Sequence, residues 1–510
     1  MRLEPDEACF AQKYAAGASQ VVFARLIDDL ETPVSAFLKL AAAKPYAFLF
    51  ESVEGGAWRG RYSILSMDPD LVWRARDDTA ETSEGEAIAR GAFTPQQGGA
   101  LDSLRDLVAA SRLELPPGLP PMAAGLFGVL GYDIVRLVEP LPQANPDPLG
   151  LPDAILIRPR LVAIFDAIAQ EIVLVTTVRA GPASAAQAYA AARERLEAAR
   201  RHLETPLRPA PEPEAVPAAV LTPGKSRSEY GAMVEKAKAY VRAGDVFQVV
   251  PSHRFSAPFS LPPFALYRSL RRTNPSPFLY FLNFPEFQLV GSSPEILVRL
   301  RDGKITIRPL AGTRPRGATP AEDLALEAEL LADEKERAEH LMLLDLGRND
   351  VGRVALLGEE GRNASPAERG APHVRVTESF VVERYSHVMH IVSNVEGDAP
   401  EAVDPVDVLT AALPAGTLSG APKVRAMEII DELESFRRGV GYAGAVGYFG
   451  ADGSLDTCIV LRTGLIKDGT LYVQGGGGVV FDSDPDAEYD ETWHKVRALE
   501  SAAQEAWRFA

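Results

Sequence analysis

Four consecutive glycines, Gly475 to Gly478, precede Asp484-Pro485 and then Glu488, Glu491 and Lys495, spaced three and four apart. Glycine lets backbone N–H groups approach a ligand without side-chain obstruction, and such donors suit carboxylate or phosphate oxygens. On a helix Glu488, Glu491 and Lys495 share one face. A donor-rich turn beside two carboxylates and an ammonium would hold an anionic substrate together with a hard cation. The same residues also describe a glycine hairpin turn and a solvated, salt-bridged helix face. A second acidic pair, Glu336 and Glu339, recurs at i, i+3 upstream. Two facing helices with such pairs would supply carboxylates to one Mg²⁺ and leave positions open for substrate oxygens. Two surface faces are the plain alternative.

Other stretches carry chemistry in the same conditional way. Gly416-Thr417-Leu418-Ser419-Gly420-Ala421-Pro422-Lys423 reads as a loop entering a helix, with hydroxyls near a helix N-terminus that favours anions, or as an ordinary N-cap. Gly312-Thr313 lies among Arg308, Arg314 and Arg316, which would pair with carboxylates or balance acidic neighbours. Glu295 ends a strand-like segment, and His390 sits in an alternating strand where a core histidine is the commoner reading. There is no Gly-x-Ser-x-Gly elbow, Walker loop, His-Glu-x-x-His or Rossmann fingerprint. Cys9 and Cys458 stand in no nucleophile-like setting, so glutamine hydrolysis by a Cys–His pair is not offered. From the residues alone the chemistry is that of an Mg²⁺-assisted enzyme acting on a small carboxylate.

The elements that must position these groups follow from length and patterning. A chain of 510 residues is enough for about three average domains or two large ones. With 46% hydrophobic and 24% charged residues it has a soluble globular composition. A net charge of −17 argues against nucleic acid as a partner. No secretory signal or membrane-length apolar run is visible, which predicts a cytoplasmic protein without membrane contact. A proline-rich stretch at 206–223 separates a predicted N-terminal domain, 1–205, from a larger one, 224–510. Helical periodicity predicts helices at 183–203, 228–243, 321–346 and 422–433. Strands are predicted at 46–52, 124–130, 161–165, 171–177, 246–250, 278–282, 287–290, 296–300, 304–307, 387–395, 443–449, 457–465 and 470–474. Residues 76–100 read as a loop with a short helix. Short turns between strands, interrupted by blocks of helix, favour α+β over a doubly wound sheet.

Taken together, Gly312-Thr313, Glu339 to Asp350, Tyr385 to His390, Gly416 to Lys423 and Gly475 to Lys495 resemble the chorismate-utilising enzymes. Within that family the likeness is greatest to the large subunits of anthranilate synthases (component I). It is dense over 228–498 and looser before 206. The resemblance implies large, mostly antiparallel β-sheets packed as a sandwich with flanking helices, plus a smaller N-terminal α/β regulatory part. It implies Glu339 and Glu491 as Mg²⁺ ligands, supported by Glu336 and Glu488, and Gly476, Gly477 and Gly478 as a carboxylate cradle. Tyr442, Arg462 and Lys495 match groups that hold the enolpyruvyl carboxylate or ring, and Gly312, Thr313 and Thr417 complete the pocket. Glu295 matches the general acid that protonates the departing C4 hydroxyl as ammonia attacks C2. His390 matches the histidine linked to pyruvate elimination and aromatisation.

Two positions separate relatives. Ala311 stands where aminodeoxychorismate synthases usually carry a nucleophilic lysine, and Gln248 where isochorismate and salicylate synthases carry a lysine base. Lacking both amines, the site suits ammonia supplied from outside. The implied reaction is a lyase step from chorismate and ammonia to anthranilate and pyruvate, the first of tryptophan biosynthesis. The ammonia would come from glutamine through a separate amidotransferase subunit (component II) in a heterotetramer. Glu51 and Ser52, with Pro277, Phe278 and Leu279, resemble the two halves of an L-tryptophan inhibitor site; Phe278 and Leu279 replace a commoner Tyr and Met. The alternatives are an aminodeoxychorismate synthase component and a non-catalytic amino-acid sensor of the same fold.

Overall fold

The computed structural model describes residues 1–52, 60–142, 145–207, 219–355, 374–385 and 388–510. Most of the proline-rich stretch lies outside the described residues, as does a polar, glycine- and proline-containing segment at 359–372 that the sequence reads as a loop.

Two antiparallel sheets share two long strands, Tyr62–Arg76 and Ala154–Asp166, which pair along their whole length. From one half of this pair the first sheet runs through Ala47–Glu51, Phe278–Asn283, Gln288–Ser293, Thr463–Lys467 and Thr470–Gly476 to Ser252–Pro258. From the other half the second runs through Gly125–Leu130, Ala445–Gly450, Leu455–Ile459, Ile296–Arg301 and Lys304–Ile307 to Val388–Asp398. Buried side chains of both sheets, among them Phe48, Phe127, Tyr280, Leu289 and Val446, form one apolar cluster between them. Separate clusters on the outer faces seat the helices, with Phe37, Leu266 and Leu499 on one side and Leu344, Val406 and Met427 on the other. This is the α+β sandwich with flanking helices. Strands from before the proline-rich stretch complete both sheets, through Glu51 opposite Leu279 and Val129 opposite Val446. We keep the division at 206–223 as a proposal about folding units that share their sheets. Among the described residues no helix is long and apolar enough to cross a membrane.

Helix ends follow local chemistry. Ser226 and Glu229 form a capping box at the start of Arg227–Ala243, and Gly244 closes it at φ 82°, a left-handed conformation that suits glycine. The predicted helix at 321–346 is two helices, Pro320–Ala332 and Glu334–Ala355. Asp333 breaks it: its backbone is extended, and its carboxylate accepts from the N–H groups of Lys335 and Glu336 at 3.0 and 3.1 Å. The predicted strand at 457–465 is likewise two, Leu455–Ile459 and Thr463–Lys467, turned at Arg462 with φ 46°. The predicted strand at 246–250 shortens to Gln248–Val249, paired with Gly420–Ala421. Several strands escaped the sequence pattern, among them Thr79–Glu84, Ser252–Pro258, Leu310–Pro315 and Val374–Arg384. Thr79–Glu84 is polar and short, and Val374–Arg384 is mostly exposed, so neither carries a clear apolar alternation.

Candidate active site

The acidic pairs face each other. Glu336 and Glu339 lie on Glu334–Ala355, and Glu488, Glu491 and Lys495 on Pro485–Glu505, whose first turn is capped by Asp484. The glycines open at the end of the strand Thr470–Gly476 and do not form a hairpin turn. Lys495 Nζ donates to the Gly476 carbonyl at 2.8 Å and pairs with Glu491 at 2.7 Å. A Cβ on Gly477 would stand 2.4 Å from Glu488 Oε2, and one on Gly478 2.4 Å from Gln248 Nε2. That same Gln248 nitrogen donates to Glu339 Oε1 at 3.0 Å. The glycine wall, Gln248 and the two acidic helices therefore touch in sequence around one point.

Their charges interact. Burial raises the Glu339 carboxyl above its usual range, and the neighbouring Glu336 and Glu491 carboxylates raise it further. Glu488 is pushed up to about 7, first by burial and then by Glu491. Glu336 is held at 3.1 Å by Arg314, which also reaches Glu329 and Asp333, so this arginine of the Gly312-Thr313 stretch balances acidic neighbours. Glu488 Oε2 is sealed from solvent with no hydrogen-bond partner. A surplus of carboxylates with one buried oxygen unsatisfied fits a hard divalent cation. Among the described residues no three such side chains already close a cage. Mg²⁺ commonly takes only one or two protein carboxylates and fills the rest with water and substrate.

A second group adjoins the first. Gly312 sits in a bulge of the strand Leu310–Pro315 at φ 75°, and a Cβ there would lie 3.3 Å from Glu336 Oε2. His390 Nδ1 lies 3.1 Å from the Gly312 carbonyl and 2.9 Å from Thr313 Oγ1. A carbonyl only accepts, so Nδ1 carries the proton and Nε2 keeps its lone pair. Burial, with the charge of Arg462, pulls His390 down to about 4, so the ring is neutral near pH 7. Glu295, between the strands Gln288–Ser293 and Ile296–Arg301, is 6% exposed. Burial pushes it up to about 8, against the Leu310 N–H, Thr417 and Arg462. Thr417, in the turn Gly416–Leu418, donates to both Glu295 oxygens at 3.3 Å. Arg462 thus acts on Glu295 and His390 together, from a left-handed backbone that costs a non-glycine residue about 1–2 kcal/mol. Tyr442 is buried, and its electrostatic partners include Lys495 and Glu491.

Ala311, buried in the Leu310–Pro315 strand, places no amine in this region, and neither does Gln248. Sequence reasoning missed Arg438 and Glu434, a buried pair beneath the site; the adjacent Arg437-Arg438 before Gly439 gave no signal that one arginine is inside.

The residues expected from the resemblance to bind an inhibitor collect elsewhere. Glu51, Ser52, Pro277, Phe278 and Leu279 line a cavity of about 950 Å³ that includes none of the residues above. Glu51 is already engaged: Arg271 Nε and Nη2 donate to it at 2.8 and 3.0 Å, and the Tyr267 hydroxyl donates as well. Ser52 Oγ accepts from the Gly60 N–H at 2.7 Å.

Residues 45–501 match the family model for chorismate binding enzymes. The chain is 57% identical over 507 residues to anthranilate synthase component 1 of Cereibacter sphaeroides, covering 98% of each chain. It is 47% identical over 486 residues to that of Pseudomonas aeruginosa, covering 93% of each. The crystal structure of anthranilate synthase component I from Streptococcus pneumoniae superposes with a TM-score of 0.73 at 34% identity, covering 94% of this chain and 99% of that one. With the facing acidic helices, the glycine wall and the buried Glu295–Thr417 pair all resting on that shared framework, the chain belongs to the chorismate-binding enzyme family.

Proposed function

We propose that this chain converts chorismate and ammonia to anthranilate, pyruvate and water, as the large subunit of an anthranilate synthase. The observation that carries the reading is Glu295: a buried carboxyl held protonated near neutral pH, sharing Arg462 with a neutral histidine, while neither Ala311 nor Gln248 offers an amine as nucleophile or base. Such a site leaves the nucleophile to come from outside, which suits ammonia.

Glu295 gives its proton to the departing C4 hydroxyl as ammonia bonds to C2 and the ring double bonds shift; the hydroxyl leaves as water. His390 then has an open Nε2 lone pair to take the C2 hydrogen as a proton, while the C3–O bond breaks, pyruvate departs and the ring becomes aromatic. Lys495, Arg462 and Tyr442 hold the enolpyruvyl carboxylate and ring against the backbone wall of Gly476, Gly477 and Gly478, and Thr417, Gly312 and Thr313 close the pocket. Mg²⁺ held by Glu339 and Glu491, with Glu336 and Glu488 in support, would supply Lewis-acid attraction for the ring carboxylate. Ammonia reaches the site from a glutamine amidotransferase subunit, since neither Cys9 nor the buried Cys458 is placed for that hydrolysis. L-Tryptophan is the ligand proposed for the cavity lined by Ser52 and Phe278.

Incubation with chorismate, MgCl₂ and ammonium salt, followed by chromatography of the products, tests the reading. Anthranilate and pyruvate in equal amounts are expected. Accumulation of 4-amino-4-deoxychorismate, or no turnover, would overturn it.

A further inference from the structure

Arg438 and Glu434 form an ion pair that the reaction above does not use. Their side chains are 1% and 2% exposed. Arg438 Nη2 donates to Glu434 Oε1 at 2.6 Å and to the Val250 carbonyl at 2.7 Å, and Nη1 donates to the Leu418 carbonyl at 2.7 Å. Its Nε reaches both carboxylate oxygens at 3.2 and 3.1 Å. The cation lies 4.8 Å from the Tyr132 ring centroid and 5.2 Å from that of Tyr442. Glu434 Oε1 also accepts from the N–H and Oγ of Ser252 at 2.8 and 2.7 Å, and Ser252 Oγ accepts from Gln474 Nε2 at 2.8 Å.

Each end of this network is a segment of the candidate site. Leu418 follows Thr417, which holds Glu295. Val250 adjoins the strand Gln248–Val249, whose first residue holds Glu339. Ser252 stands in register opposite Gly476, and Gln474 precedes the glycines on the same strand. Tyr442 is itself a proposed substrate contact. A buried ion pair adds little net stability, because desolvation of two charges offsets their attraction and apolar replacements are often tolerated. A guanidinium, however, has a rigid fork of donors that can fix two carbonyls and a carboxylate at once. We propose that Arg438 and Glu434 are positioning residues that set the mutual placement of Thr417, Gln248, Tyr442 and the glycine wall. This rests on the assignment of those four to the site.

The test compares wild type with Arg438→Met/Glu434→Leu and with Glu434→Gln. The double variant is expected to keep its far-ultraviolet circular dichroism and cooperative unfolding while kcat falls by about 100-fold, the scale of an ångström-level misplacement. The alkaline limb of its residual kcat–pH profile moves to higher pH, because a displaced Thr417 no longer stabilises the Glu295 carboxylate. A kcat within about threefold of wild type, with the limb unmoved, overturns the proposal. Should the double variant fail to fold, Glu434→Gln carries the test. It preserves side-chain volume, and kcat is expected to fall by about tenfold, against an overturning change below about twofold. Amide hydrogen exchange gives a readout independent of turnover. In Glu434→Gln it accelerates at 248–252 and 417–421 and not at 20–27; unchanged exchange at the first two segments overturns the proposal. Wild type making no anthranilate would defeat the function proposed above, and the exchange data would still decide this one.

Discussion

Glu295→Gln keeps the size of the side chain and removes its titration. In the fold, burial pushes this carboxyl from 4.5 to about 8. A carboxyl held protonated in the native state and free to ionise in the unfolded chain costs stability as pH rises. Below about 4.5 both states carry the proton and the cost vanishes. Above that it grows by about 1.4 kcal/mol per pH unit, then levels off above about 8 at about 5 kcal/mol. The amide, which keeps a hydrogen-bond acceptor for Thr417, escapes this cost. Urea unfolding of wild type and variant side by side cancels every other titrating group. The stability difference in favour of the glutamine variant is expected to widen by about 2 kcal/mol between pH 6 and pH 8. Loss of the general acid is expected to lower kcat by about 10²- to 10⁴-fold, and wild-type kcat falls as pH rises through about 8. A difference that stays flat with pH would refute the protonated state of Glu295. A variant that keeps wild-type kcat would refute its role.

Glu339→Gln is expected to abolish Mg²⁺-dependent turnover and weaken Mg²⁺ binding by calorimetry with circular dichroism unchanged; unaltered binding would contradict the metal assignment. Gly476→Ala would place a Cβ 2.5 Å from the Pro251 carbonyl and 2.8 Å from Ser252 Cβ. It is expected to lower unfolding stability by about 1–3 kcal/mol in urea, and an unchanged midpoint would contradict the close packing of the wall. Ser52→Ala is expected to weaken tryptophan inhibition by about tenfold with kcat unchanged, whereas an inhibition curve that does not move would count against the site. Ser52 is the cleaner variant there, because removing the Glu51 carboxylate would strand Arg271.

Much of the fold was legible because it follows local rules. The helix Arg227–Ala243 is bracketed by Ser226 and Gly244, and the strand Ala47–Glu51 is an apolar run. The acidic pairs were legible because i, i+3 spacing fixes a shared face. Failures came where tertiary context decides. Asp333 looks like one more acid in an acidic helix, yet its carboxylate caps the next helix and ends the previous one. Arg462 turns the chain in a conformation that usually advertises itself with glycine. Val374–Arg384 is mostly exposed, so its pattern holds no apolar alternation. The protonation of Glu295 depends on burial outweighing the opposing contacts of Leu310, Thr417 and Arg462, all distant in sequence, a balance that no motif encodes. Arg438 reads as a surface arginine until the segments around Val250 and Leu418 close over it.

Diffraction from crystals grown with Mn²⁺ in place of Mg²⁺ tests the placement of the metal most directly. An anomalous peak bonded by oxygens of Glu339 and Glu491, in front of Gly476 to Gly478, is the expected result. A peak elsewhere, or none at saturating Mn²⁺, would contradict a site in which two acidic helices meet at one divalent ion.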